Sequence, residues 1–255
     1  MHFYLILLFL CCDSVFGAPV TRDDSINLLL LAIESALPDI NGSVSDVSGL
    51  ITSTEQTLAT LSQTSTTQNG LSGPCKQLTV IFARGTSEPG NVGFSTGPAW
   101  FDTFLGLIGL DALAFQGVDY SASVNGFLQG GDLAGISLMA SLVQQALSKC
   151  PATKVVMSGY SQGGQIVHRA AALLPSTTMS QVSAVVIFGD PDNGQPITGI
   201  SSDKVKIICH AGDEICEHQD LILLPHLTYA ENAKEAAAFA VKAAGLEGLL
   251  KGGGG

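Results

Sequence analysis

The sequence predicts an α/β domain in three layers, a central and mainly parallel five-stranded sheet covered by helices on both faces. Two observations carry that expectation. From Cys75 onward, short apolar and β-branched runs end near glycines and alternate with longer stretches of helical periodicity. The runs are also apolar almost throughout, which is the pattern of strands buried on both faces.

The elements follow in order. "QLTVIFARG" (77–85) reads as a strand, "GPAWFDTFLGLIG" (97–109) as a helix and "ALAFQGV" (112–118) as the second strand. "GDLAGISLMASLVQQALSKC" (131–150) is a helix, "TKVVMSG" (153–159) a strand and "SQGGQIVHRAAALL" (161–174) a helix. "QVSAVVIFGD" (181–190) and "KVKIIC" (204–209) complete the strands, and the alanine-rich "ENAKEAAAFAVKAA" (231–244) closes with a helix. The domain therefore spans residues 75–245, with 246–255, ending in "KGGGG", as a flexible tail.

Residues 18–74 read differently. "DSINLLLLAIESALP" sets Ile26, Leu29, Leu30, Ile33 and Leu37 on one helical stripe, with Asp24 or Ser25 as cap and Pro38 as stop. "SDVSGLITSTEQTLATL" repeats the pattern more weakly through Val47, Leu50, Ile51, Leu58 and Leu61, and "SQTSTTQNGLSG" (62–73) reads as a polar linker. Asn41 heads the glycosylation sequon "NGS", which requires an exposed asparagine. A flexibly joined amphipathic pair suits a lid over an apolar groove, with Leu29, Leu30, Ile33 and Leu37 as its buried stripe. A propeptide, or a helical pair packed elsewhere, would show the same amphipathicity.

The chain begins "MHFYLILLFLCCDSVFGAPV", an apolar stretch of roughly ten residues followed by small ones, as in a secretory signal peptide. Val15 and Gly17 place cleavage after residue 17, and a membrane anchor would need about twenty apolar residues without Asp13 among them. Removal of Cys11 and Cys12 leaves Cys75, Cys150, Cys209 and Cys216, an even number bound for an oxidising compartment. Pairing Cys209 with Cys216 closes a tight loop, and Cys75 with Cys150 then ties the start of the domain to the end of a helix. A metal site of Cys209, His210, Cys216 and His218 matches no zinc spacing, and no metal or cofactor is expected.

A net charge of −11 with only 13% charged residues leaves no basic surface for nucleic acid or anionic lipid. A hydrophobic content of 46% supports one sizeable core. The expectation is a secreted, extracellular monomer without a membrane anchor.

The chemistry concentrates at "GYSQGG" (159–164), between a strand and a helix. Gly-x-Ser-x-Gly in that setting is a nucleophile elbow, which holds the Ser161 hydroxyl clear at the carboxyl edge of the sheet. The N–H of the next residue, Gln162, opens the helix and faces the same space, where it can stabilise an oxyanion. Serine needs a base. His168, seven residues into the same helix, lies roughly 10 Å along the axis and cannot reach. His226 ends an apolar run beside Pro225, as a presented loop residue would, whereas His210 and His218 flank the small cysteine loop. For the acid that orients the base, Asp190, Asp192 and Asp213 all satisfy the order serine, acid, histidine of α/β-hydrolases.

Taken together, "ARGTSEPGNVG", "GYSQGG", "FGDPDNGQP", "CHAGDEIC" and "LLPHLTY" resemble the fungal cutinases in order and spacing across residues 75–245. The resemblance implies an α/β-hydrolase fold, Ser161 as nucleophile, Asp213 as acid and His226 as base, with Thr86 and Gln162 as the oxyanion hole. It also implies a polyester or lipid-like ester substrate, cutin in nature. Tyr160, Ile222, Leu223 and Leu227 are the expected lining of an acyl groove. An acetylxylan esterase shares that fold and triad, but "LILLP" before the histidine suits an acyl chain better than a sugar. A catalytically silent surface-binding protein would be marked by loss of triad residues, and none is lost.

Overall fold

The structure is a computed structural model that describes residues 42–250. The signal peptide, Asn41 and the stripe from Ile26 to Leu37 lie outside the described residues, as do residues 251–255.

The first elements are a two-residue strand, β1 (Gly42–Ser43), and helix α1 (Val44–Ser62). Ser43 caps α1 by accepting from the Asp46 N–H. Then come β2 (Leu78–Ala83), α2 (Thr96–Ile108), β3 (Leu113–Gly117), α3 (Val124–Leu128) and α4 (Leu133–Lys149). They are followed by β4 (Lys154–Tyr160), α5 (Gln162–Leu173), α6 (Ser176–Met179), β5 (Val182–Phe188) and β6 (Val205–Ile208). The last are β7 (Leu221–Ile222) and α7 (Ala233–Ala243).

The five-stranded sheet runs in the order β3-β2-β4-β5-β6, with every neighbouring pair parallel. Successive strand residues point to opposite faces, so each strand feeds two cores. Ile81, Val155, Met157, Val185 and Ile187 meet Ile136, Met139 and Val143 of α4 and Ile166, Val167 and Ala170 of α5. Val80, Phe82, Phe115, Val186 and Phe188 meet Trp100 and Phe104 of α2 and the alanines of α7. This explains the apolar runs: neither face of the sheet is wet. After β3 the chain crosses back over β2 to form β4, so the strand order switches direction between β2 and β4. Ligands of open α/β sheets bind in the crevice at the carboxyl end of such a switch.

Three expectations are corrected. Residues 63–73 are not a flexible linker. Thr66 O accepts from Asn91 N and Val92 N (2.9 and 3.0 Å), Gln68 O accepts from Gly117 N (2.9 Å), and Asn69 bridges Gln116 on β3. Leu71 is buried, and Lys149 Nζ donates to Leu71 O and Gly73 O. The polar backbone of this strap satisfies the otherwise open edge of β3. Secondly, Leu50 and Leu61 point to solvent from α1, while Val44, Leu58, Val47 and Ile51 pack inward. Thirdly, the tail begins later than residue 246, because Leu246 and Leu249 pack against the core beneath α2 and α7.

Disulfides join Cys75 to Cys150 and Cys209 to Cys216. No helix among the described residues is long and apolar enough to cross a membrane.

Candidate active site

β4 ends at Tyr160, α5 begins at Gln162, and Ser161 alone makes the turn, at φ 55° and ψ −121°. A non-glycine residue there is strained by about 1–3 kcal/mol and persists only where its surroundings hold it. Here Ser161 N donates to Phe188 O at 3.0 Å, and the flanking glycines permit close backbone contact. A Cβ on Gly159 would lie 2.2 Å from Gly163 O, and one on Gly163 only 2.0 Å from Ala83 O.

His226 arrives from a short 3-10 turn, Leu224–Leu227, with Pro225 as its second residue. Its Nε2 accepts from Ser161 Oγ at 2.9 Å, and its Nδ1 donates to Asp213 Oδ2 at 2.8 Å. All three residues are buried. The Tyr160 ring stacks on the imidazole at 5.2 Å, and its hydroxyl donates to His226 O at 2.8 Å. Asp213 lies inside the Cys209–Cys216 loop and accepts at Oδ1 from Ile215 N (3.0 Å). Its Oδ2 also accepts from the Tyr229 hydroxyl at 2.5 Å. Burial alone would raise the Asp213 pKa, but the hydrogen bond and charge of His226, the Tyr229 hydroxyl and the Ile215 N–H outweigh it and lower it below the usual carboxylate value.

The other candidates are engaged elsewhere. Asp190 pairs with His168 Nε2 at 2.9 Å and accepts from Asp192 N. His210 is held between Pro225 O and Asn232 Oδ1, and His218 donates to Pro191 O. Cys209 and Cys216, bonded to each other, are not thiolate ligands. No group of three or more metal-ligating side chains is placed to hold an ion among the described residues.

Across the switch point, Gln162 Nε2 donates to Thr86 Oγ1 (3.0 Å) and to Ser123 O (2.9 Å). Thr86 therefore accepts from Gln162 and keeps its own proton for another acceptor. The Gln162 N–H, at the first position of α5, has no acceptor within the helix. Thr86 lines the same cavity as Ser161, and the Gln162 N–H follows Ser161 directly in the chain.

Ser161, His226, Thr86, Tyr160, Ile222 and Leu227 line a cavity of about 30 Å³ that Val44, Val47, Ser48, Ile51 and Glu55 of α1 complete. That volume holds a water or two. Leu223 does not line it; it precedes the 3-10 turn as its cap. The inner wall of α1 is thus part of the site, as its weak apolar pattern did not disclose.

Three further residues of the site went unread in the sequence. Tyr229 lies three residues after His226, within the quoted "LLPHLTY", but looks like one more core aromatic. Glu55 and Glu88 look like surface acids, yet both line the cavity, and Glu55 Oε2 is sealed from solvent without a partner. Burial first, then the nearby Glu88 charge, pushes the Glu55 pKa well above its ordinary value.

A parallel sheet with hydroxyl, imidazole and carboxylate linked in series above its switch point defines the α/β-hydrolase class. The Cutinase family model matches residues 74–244, and the chain belongs to that family of carboxylic ester hydrolases. Cutinase pbc1 of Pyrenopeziza brassicae is 52% identical over 185 residues, 72% of this chain and 90% of that protein. The solved structure of Trichoderma reesei cutinase with a C11Y4 phosphonate inhibitor is similar at 44% identity, with a TM-score of 0.73 over 86% of this chain and 98% of that one. An acetyl xylan esterase structure is similar at 25% identity and a TM-score of 0.55, over 67% of this chain and all of that one.

Proposed function

We propose that the chain is a secreted, monomeric serine esterase that hydrolyses cutin and other aliphatic esters. The observation that carries this is the Ser161–His226–Asp213 series facing a mainly apolar wall of Val44, Val47, Ile51, Ile222 and Leu227. Ser161 Oγ attacks the ester carbonyl while His226 Nε2 takes its proton. The oxyanion is met by the Gln162 N–H and the Thr86 hydroxyl. On collapse the His226 proton goes to the departing alkoxide, leaving an acyl group on Ser161. Water, deprotonated by His226, then releases the acid. Asp213 holds His226 in the tautomer with Nδ1 protonated and offsets the charge it gains. The apolar wall, and cutinases as the more similar relatives, favour an acyl chain over an acetylated sugar. The signal-like first 17 residues and the two disulfides support secretion.

In this reading α1 is the lid, and the stripe from Leu29 to Leu37 is not needed to close the groove. α1 walls the cavity beside Ser161 and His226, and in this reading it swings aside to open the groove to an acyl chain. Its hydrogen bonds to the domain are few among the described residues: β1 pairs with β7, Val44 N donates to Asp220 O, and Thr52 Oγ1 shares its proton between Ser48 O and Ser87 O, the rest being apolar packing of Val44, Val47 and Ile51. The strap after α1 stays pinned and acts as the hinge.

The test uses p-nitrophenyl acetate, butyrate and palmitate with the mature chain, its Ser161→Ala variant, and a chain starting at Gln63 that keeps the strap. Activity on butyrate and palmitate that disappears in Ser161→Ala supports the esterase. Preference for acetate, with activity on acetylated xylan, would move the reading to an acetylxylan esterase. The lid requires the shortened chain to be faster on soluble esters and indifferent to detergent. Equal rates for the two chains would remove α1 from the mechanism.

A further inference from the structure

Glu88 stands two residues beyond Thr86, is 4% exposed, and takes no part in the proton transfers above. Its Oε2 accepts from the Gly85 N–H at 2.7 Å. Its Oε1 accepts from the Phe94 and Ser95 N–H groups, each at 3.2 Å, and from the Ser95 hydroxyl at 2.9 Å. The main chain of Glu88 closes the same turn: its N–H donates to Gly85 O, and its carbonyl accepts from Arg84 Nε at 2.7 Å. The carboxylate therefore ties the residue before Thr86 to the segment that opens α2. Gly93, at φ +76°, makes the room, because a Cβ there would lie 2.3 Å from the Glu88 carboxylate.

The Thr86 side chain has one hydrogen-bonded anchor among the described residues, the bond from Gln162, and the backbone beside it is held by Glu88 and by Ser87, whose N–H donates to Ala122 O at 2.7 Å. That backbone is unrelaxed, with Ser87 at φ 62°. An oxyanion donor works only at the distance where charge develops, and small displacements remove most of its effect.

We propose that Glu88 is a positioning residue of the oxyanion hole, holding the Thr86 hydroxyl in register with the Gln162 N–H through its bonds to Gly85, Phe94 and Ser95. This rests on Thr86 being an oxyanion donor. Glu88→Gln keeps the shape but turns an NH2 group toward N–H donors on one side or the other, so the clamp opens without loss of volume.

The experiment is a double-variant cycle of Glu88→Gln and Thr86→Ala in the full mature chain, with kcat and KM on p-nitrophenyl butyrate. Glu88→Gln is expected to lower kcat about tenfold or more with KM within about twofold. In the Thr86→Ala background the same change is expected to cost less than about twofold, since the group it positions is gone. Losses that multiply in the double variant, or an unchanged kcat in Glu88→Gln beside a large loss in Thr86→Ala, would overturn the positioning role alone. An unchanged kcat in Thr86→Ala would overturn the oxyanion assignment and this inference with it. Should Glu88→Gln not fold, Ser95→Ala, which removes one donor to Oε1, is expected to show a smaller loss of the same kind. Its failure to do so overturns the inference.

Discussion

The Tyr229 hydroxyl donates to Oδ2 of Asp213 at 2.5 Å, the same oxygen that accepts the His226 Nδ1 proton at 2.8 Å. Two donors on one oxygen make Asp213 a better-held anion than a two-membered Asp–His contact would. Burial, then the bond to Asp213, raises the Tyr229 pKa, so it remains a donor at every pH at which an esterase works.

Tyr229→Phe is therefore expected to lower kcat by about tenfold, the worth of one hydrogen bond to a charged group. It also raises the Asp213 pKa toward its ordinary value. A depressed carboxylate pKa contributes stability that is present above the unfolded value of 3.8 and lost as pH falls through the folded one. Activity and thermal stability of the variant are thus expected to fail at higher pH on acidification than in the parent. An acid limb that stays in place would show that Tyr229 is only a core residue.

Ser161→Ala and His226→Ala are each expected to lower kcat by about four or more orders of magnitude with the fold intact, as linked members of one proton path do. Asp190→Asn, whose contacts are to His168 and the Asp192 N–H and not to Ser161, Asp213 or His226, is expected to leave turnover within about threefold. Activity that survives Asp213→Asn but falls with Asp190→Asn would reassign the acid.

With α1 as a lid, Glu55 is expected to give its docking a pH dependence. Its folded pKa is raised, so the docked form binds the proton more tightly than the free one. The stabilisation is complete below the free value of 4.5 and is lost as pH rises toward the folded pKa. Glu88, Tyr160 and His226 are the titratable groups that line the cavity with it. Hydrogen exchange of α1 is expected to quicken as pH rises above 4.5 in the parent, beyond the intrinsic base-catalysed rise, but not in Glu55→Gln. Equal pH dependence in both would place the control elsewhere.

Mild reduction is expected to affect Cys209–Cys216 in a way activity reports before stability does, because the loop aims Asp213 while the sheet does not depend on it. The measurement is esterase rate against near-ultraviolet circular dichroism during reduction. Simultaneous loss of both signals would mean the loop is structural only.

Much of the architecture was legible in local patterns. Apolar runs such as "LTVIFA" and "VSAVVIF" state their own burial, and Gly159 and Gly163 state that the chain turns too tightly at Ser161 for a Cβ on either side. The choice of Asp213 over Asp190 was not legible in spacing. Both follow strands and precede His226, and the resemblance to cutinases supplied the preference. In the fold, Asp190 is turned toward His168 and Asp213 toward His226.

The sequence by itself determined which segments form the five-stranded sheet and the larger helices around it and where the elbow lies, because these depend on backbone preference and periodicity within a few residues. Only the tertiary structure decided that residues 63–73 close the edge of β3, that α1 walls the cavity, and that Glu55, Glu88 and Tyr229 face the site. A polar strap or an isolated acid carries no periodic signature. Its partner is whichever donor or open edge the parallel sheet leaves nearby, often dozens of residues away in the chain, and that is fixed only when the crossovers have been made.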